Sequence, residues 1–119
     1  MQKELNDALL ECETDVRGSI KRFSGNENIY ISFLKSFPDE PTMKSLRQSI
    51  KEHQWEDAFV AAHALKGLAG NLGFIPLYYD IGELVVLLRA GKYGAVDQLY
   101  KQTESSYHEI VKAIRNHLK

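Results

Sequence analysis

The sequence predicts an all-α protein: an antiparallel four-helix bundle over residues 27–118, with short helical segments at 2–24 packed on or beside it. Three observations lead there. Apolar residues recur at i, i+3, i+4 and i+7 in segment after segment, the spacing of a helix with one buried stripe. The breaks between segments are short and fall at Pro, Gly and capping residues, so successive helices double back as antiparallel neighbours. No run alternates with period two between turn signals, and there is no low-complexity tract, internal repeat or Gly/Ser linker.

The first segment, 2–12, places Leu5, Ala8, Leu9 and Cys12 on one face. Thr14 or Asp15 caps a second, carrying Val16, Ile20 and Phe23, with Gly25 as a left-handed stop and Asn26 as the next N-cap. Ile29, Tyr30, Phe33, Leu34 and Phe37 then repeat at helical spacing until Pro38. Asp39-Glu40-Pro41 reads as a cap followed by proline in the first turn of a helix buried through Met43, Leu46 and Ile50 and ending near His53. A helix from Trp55 ends at Gly73, and Pro76 opens another whose face is Leu77, Ile81, Leu84, Val85 and Leu88, with Gly91 as its stop. Asp97 lies in the first turn of the last, whose face runs Val96, Leu99, Tyr100, Thr103, Tyr107, Ile110, Ile114 and Leu118. The aromatic residues at 30, 33, 37, 78, 79, 100 and 107 are read as core and near-core packing.

At 119 residues the chain is expected to form one domain, 1–119, large enough to bury a core. Fifteen basic and 16 acidic residues leave a net charge of −1 with no segregated run, which argues against a nucleic-acid arm or a polybasic membrane patch. The single cysteine, Cys12, excludes an intramolecular disulfide or a cysteine-based zinc site and suits a reducing cytosol. The longest apolar stretch, Leu84 to Leu88, is far below the ~20 residues of a membrane span. A monomer in the cytoplasm, contacting neither nucleic acid nor membrane, is the expectation. No GxxxxGK[ST], GxGxxG, HExxH or GxSxG motif occurs, and His53, His63, His108 and His117 do not converge as metal ligands.

The helix from Trp55 carries an anomaly. Gly67 and Gly70 lie inside it, and each costs roughly 0.8–1 kcal/mol relative to Ala. On a wheel of about 100° per residue, Ala58, Ala61, Ala62, Leu65, Leu68, Ala69 and Leu72 form the apolar stripe, and His63 lies about 160° from its centre. Gly67 at i+4 and Gly70 at i+7 stand beside His63, where larger side chains would flank or cover the ring. Lys66 at i+3 is within side-chain reach, and Val60 and Phe59 add apolar surface on the other side. An exposed imidazole, one cation, cleared surroundings and a small apolar rim therefore share one face.

His63-Ala64-Leu65-Lys66-Gly67-Leu68-Ala69-Gly70-Asn71-Leu72-Gly73 resembles the signature of histidine-containing phosphotransfer (HPt) domains, which runs His-x-Leu-Lys-Gly, a small pair, a hydrophobic residue and Gly. Arg22-Phe23-Ser24-Gly25-Asn26, Tyr30 and Phe33-Leu34-Lys35-Ser36-Phe37 resemble the segment leading into that family's bundle, so the likeness covers roughly residues 14–118. Two positions depart from the pattern: Leu68 stands where members usually carry Ser or Ala, and Val85 where many carry an acidic residue.

The resemblance implies a phosphoryl carrier without kinase activity of its own, relaying phosphoryl groups between receiver-domain aspartates in two-component signalling. His63 is then the phosphoacceptor, Lys66 the cation that draws the phosphoryl oxygens, and Gly67 the access position, with Gly70 beside it. Phe59 and Val60 are candidates for the docking patch. The implied partners are response-regulator receiver domains or a hybrid histidine kinase. The chain needs no cofactor of its own, because magnesium belongs to the receiver. Two other readings fit the same bundle: the phosphoacceptor domain of a chemotaxis-type histidine kinase, and a helical adaptor that binds without phosphorylation.

Overall fold

A computed structural model describes residues 1–118, and within them the chain is all-helical. The helices are α1 (Lys3–Glu11), α2 (Val16–Arg22), α3 (Glu27–Ser36), α4 (Thr42–Lys51), α5 (Trp55–Leu72), α6 (Ile75–Ala90) and α7 (Val96–His117). Short 3₁₀ turns precede α4 and α7, at Phe37–Asp39 and Tyr93–Ala95.

Boundaries follow local chemistry. The Asp15 carboxylate accepts from the Gly18 amide at 3.0 Å and Asn26 Oδ1 from the Ile29 amide at 3.1 Å, capping α2 and α3 as expected. Pro76 stands in the first turn of α6, and α5 and α6 end on Gly73 (φ 80°) and Gly91 (φ 72°), conformations that favour glycine. The start of α4 differs from expectation. A proline pushes the residue before it out of the helical region. Glu40 is extended at ψ 125°, Pro41 stands just outside the helix, and α4 begins at Thr42, whose hydroxyl donates to Glu40 Oε1 at 2.8 Å.

Packing runs in chain order. α4 lies on α5, α5 on α6, and α6 on α7. Contacts between α5 and α6 step in opposite senses: Phe59 meets Arg89, Lys66 crosses Gly82, and Gly70 meets Tyr78. Between α4 and α7, Arg47 Nε pairs with Glu104 Oε2 at 3.7 Å. The predicted stripes form one core, including Met43, Leu46, Ala58, Ala62, Leu65, Ala69, Leu77, Ile81, Leu84 and Ile110. α1 buries Leu5 and Leu9 and packs against α7.

Two aromatic assignments are corrected. Phe33 is 48% exposed and stacks on Phe23 at 5.3 Å on the surface of α2 and α3, and Tyr79 is 65% exposed on α6. Each stands next to a more deeply buried aromatic or apolar neighbour, Leu34 and Tyr78 respectively, which takes the inward position. Val85, where an acidic residue was the pattern, is only 3% exposed and belongs to the core, so an acid there would need a buried partner.

Candidate functional site

Eighteen residues of α5 carry the site, from Trp55 to Leu72. Its inward positions are mostly Ala and Leu, fully or nearly fully buried, which fixes the rotation of the helix about its axis. That rotation places His63 on the solvent side, exposed. Among the described residues no group hydrogen-bonds its ring. The nearest aromatic neighbour is Phe59, one turn earlier, with ring centroids 6.1 Å apart and planes tilted by 43°. An imidazole left unbonded keeps a nitrogen lone pair available for attack.

The two glycines have different surroundings. A Cβ added at Gly67 would meet nothing within 4 Å, so the backbone one turn after His63 is open to whatever approaches. At Gly70 an added Cβ would stand 3.1 Å from Tyr78 Cε1 and 3.2 Å from Cδ1. Gly70 therefore lies under the Tyr78 ring of α6, whereas Gly67 faces open space.

Lys66 is half-buried, and its ammonium lies 5.4 Å from the centre of the Tyr78 ring. Its aliphatic stem crosses Gly82, whose added Cβ would stand 3.7 Å from Lys66 Cε. In this state the cation thus leans toward α6. Phe59 is half-buried against the core, and Val60 is 67% exposed. Of the two docking candidates, Val60 is the one presented to solvent.

Three features near the helix were not anticipated. Arg89, near the end of α6, places its guanidinium carbon 5.5 Å from the centre of the Phe59 ring. Finding it needs the pairing of α5 with α6, which no local pattern displays. The last turn of α5 is also held from outside. Arg22 donates to the carbonyls of Gly70 at 2.8 Å and Asn71 at 3.3 Å, the Tyr30 hydroxyl to that of Leu72 at 2.9 Å, and the Asp15 amide to that of Gly73 at 2.8 Å. These bonds satisfy carbonyls that a helix end leaves without intrahelical partners, with a cation at the negative end of the dipole. Finally, His53, at a left-handed φ of 53°, stacks on Trp55, and Trp55 on Tyr93, at 4.8 and 4.6 Å. That stack ties the turn before α5 to the turn before α7.

The middle of α5 thus presents an exposed histidine with open backbone one turn on and a lysine between. The model of one family, the Hpt domain, matches residues 29–117. The chain belongs to the Hpt domain family, whose members carry phosphoryl groups in two-component signalling. The match starts inside α3, so the upstream part of the resemblance, Arg22-Phe23-Ser24-Gly25-Asn26, lies outside it. No curated protein and no solved structure matches the chain. Among the described residues, no helix is long and apolar enough to cross a membrane.

Proposed function

We propose that this chain is a histidine phosphotransfer protein in which His63 accepts a phosphoryl group from a receiver-domain aspartate and passes it to another. The observation that carries this reading is the unbonded, exposed His63 ring beside the open backbone at Gly67, within a chain of the Hpt family. The frame is an antiparallel four-helix bundle within residues 27–118 of a single domain, and the buried stripe of α5 prevents that helix from turning the ring inward.

In the forward step the lone pair of one imidazole nitrogen forms the new P–N bond as the P–O bond to aspartate breaks. Aspartate leaves as carboxylate, and the proton on the other ring nitrogen passes to solvent. Transfer onward reverses the same bonds. Lys66 neutralises the phosphoryl oxygens. Resting over a tyrosine face is worth only about 0.5–1 kcal/mol at an exposed site, whereas a unit charge pair at ~4 Å is worth about 1 kcal/mol in bulk water and ~4 at an effective dielectric of 20. A phosphoryl group on His63 therefore draws the ammonium away from Tyr78.

The partners on this reading are receiver domains, alone or within a hybrid histidine kinase. They bring the aspartate and magnesium, and this chain, a cytoplasmic monomer, brings the nucleophile and the docking surface around Val60 and Phe59. The test is incubation with phosphorylated receiver domains. The wild type is expected to acquire acid-labile, base-stable phosphate, and His63→Gln to acquire none. Phosphate on the His63→Gln protein would end the assignment. Lys66→Ala is expected to slow acceptance by roughly one to two decades, equivalent to ~1.4–2.7 kcal/mol of transition-state stabilisation.

A further inference from the structure

The Lys66 side chain does not take the direction its helix favours. Cα–Cβ bonds on a helix tilt toward its N-terminus, so a long side chain ordinarily covers the residues three and four before its own. For Lys66 the residue three before is His63. The ammonium lies instead 5.4 Å from the centre of the Tyr78 ring, and that ring stands over Gly70, its Cε1 3.1 Å from the place a Cβ would take there. Gly70 is seven residues beyond His63, about 10.5 Å of helix rise. Tyr78 thus draws the cation along α5 away from the imidazole. Gly82 leaves bare backbone beneath the lysine stem, so that a Cβ there would stand 3.7 Å from Lys66 Cε. Among the described residues no carboxylate forms an ion pair with the ammonium, although Glu83 lines the same groove.

This contact belongs to one state of His63. While the ring is bare, Lys66 rests over Tyr78. With a phosphoryl group on the ring, one ammonium cannot both stay over Tyr78 and neutralise the phosphoryl oxygens. An interaction made only by the unphosphorylated chain shifts the equilibrium against the phosphorylated one by its whole worth. A lysine over an exposed aromatic face is worth a factor of roughly two to five in such an equilibrium.

We propose that Tyr78 is a positioning residue that acts through Lys66 and sets how readily phosphohistidine gives its group up. The inference rests on His63 being the phosphoacceptor. In the exchange, the P–O bond to the receiver aspartate breaks as the P–N bond to His63 forms. Aspartate is released as carboxylate, and the other ring nitrogen gives its proton to solvent. Lifting Lys66 off the Tyr78 ring accompanies formation of the P–N bond, so Tyr78 opposes acceptance and favours donation to the next aspartate by the same factor. A group held too firmly on a carrier is not passed on.

The test mixes the full chain with a phosphorylated receiver domain and reads the equilibrium constant between aspartyl phosphate and phosphohistidine. Tyr78→Leu is expected to shift it toward phosphohistidine by roughly two- to fivefold. Tyr78→Phe keeps the aromatic face and is expected to match the wild type. In a Lys66→Ala background Tyr78→Leu is expected to change nothing, which separates an effect through the lysine from one on packing over Gly70. A second reading needs neither variant nor docking partner. Phosphoramidate, a small donor, phosphorylates the full ¹³C-labelled chain while the Lys66 Cε–Hε resonances are followed. They are expected to move downfield as the methylene leaves the shielding face of the Tyr78 ring, and to stay still in His63→Gln treated alike. An unchanged equilibrium in folded Tyr78→Leu, an equal shift in the Lys66→Ala background, or unmoved Lys66 resonances on a chain phosphorylated at His63 each overturns the role of Tyr78 and leaves the phosphoacceptor intact. Failure of both donors to phosphorylate His63 removes the underlying reading as well.

Discussion

Around Gly67, in the middle of α5, the helix backbone faces open space, whereas one turn later, around Gly70, it is pressed against the Tyr78 ring at 3.1 Å. In sequence the two positions look alike: both are glycines inside a helix, both fall on the side of His63, and both weaken the helix by similar amounts. Their causes are opposite. Gly70 answers to a neighbour inside the molecule, and nothing inside the molecule asks for Gly67. A destabilising residue without an internal reason points to a constraint imposed from outside, which on the proposed function is the approach of a partner to His63.

The largest expected effect breaks the comparison at its open end. Gly67→Val places a branched side chain one turn from His63 in space that is empty in the free protein. Its folding stability is expected to stay within about 0.5 kcal/mol of wild type, as for surface changes away from special backbone positions. Transfer from a phosphorylated receiver domain is expected to fall by two decades or more, equivalent to ~2.7 kcal/mol. Phosphotransfer kinetics beside a denaturation curve measure both. Normal transfer in this variant would mean that Gly67 clears nothing.

The matching change at the closed end reverses the balance. Gly70→Val forces atoms against Tyr78, and overpacking of this kind costs roughly 1–3 kcal/mol. Thermal or urea denaturation is expected to show that loss, with transfer by the folded fraction reduced less than in Gly67→Val. If Gly70→Val were as stable as wild type and as slow as Gly67→Val, both glycines would belong to one cleared face after all.

What could be read without the structure divides along the same line. Asp15, Asn26, Pro76, Gly73 and Gly91 act on their own backbone within a few residues, and each marks its helix end as the sequence pattern predicts. The rotation of α5 was equally legible, because its stripe of Ala and Leu is a property of one helix, and with it came the exposure of His63. The contact of Gly70 with Tyr78 was not legible because Tyr78 stands on another helix. Arg89 was missed for the same cause: only the pairing of α5 with α6 brings residue 89 to residue 59. Lys66 was placed near His63 by its spacing, but the direction its side chain takes depends on Tyr78 and Gly82. Phe33 and Tyr79 were assigned inward because an aromatic at helical spacing usually is, and here an adjacent residue fills that place.

The smallest effect sharpens the closed end further. Tyr30 is fully buried, and its hydroxyl donates to the carbonyl of Leu72 at 2.9 Å, anchoring the last turn of α5 from α3. Tyr30→Phe leaves that carbonyl without its donor and is expected to cost about 1–2 kcal/mol at pH 8. Burial also pushes the Tyr30 hydroxyl up to about 12 from the ordinary 10. Because the folded value is the higher one, the unfolded chain gives up this proton first. The associated stability is complete below about pH 10 and drains away as pH rises toward 12. Phenylalanine has no such proton, so the gap between wild type and Tyr30→Phe is expected to narrow from pH 8 to pH 11 in urea denaturation. A residual alkaline slope is expected in both proteins, since burial also raises Tyr100 and Tyr107. Phosphotransfer by folded Tyr30→Phe at pH 8 is expected within about twofold of wild type, because the loss falls on the last turn and leaves the open middle of α5 unchanged. A constant stability gap across that pH range would show that Tyr30 titrates alike in both states, and transfer slowed by a decade would join the last turn to the phosphoacceptor site.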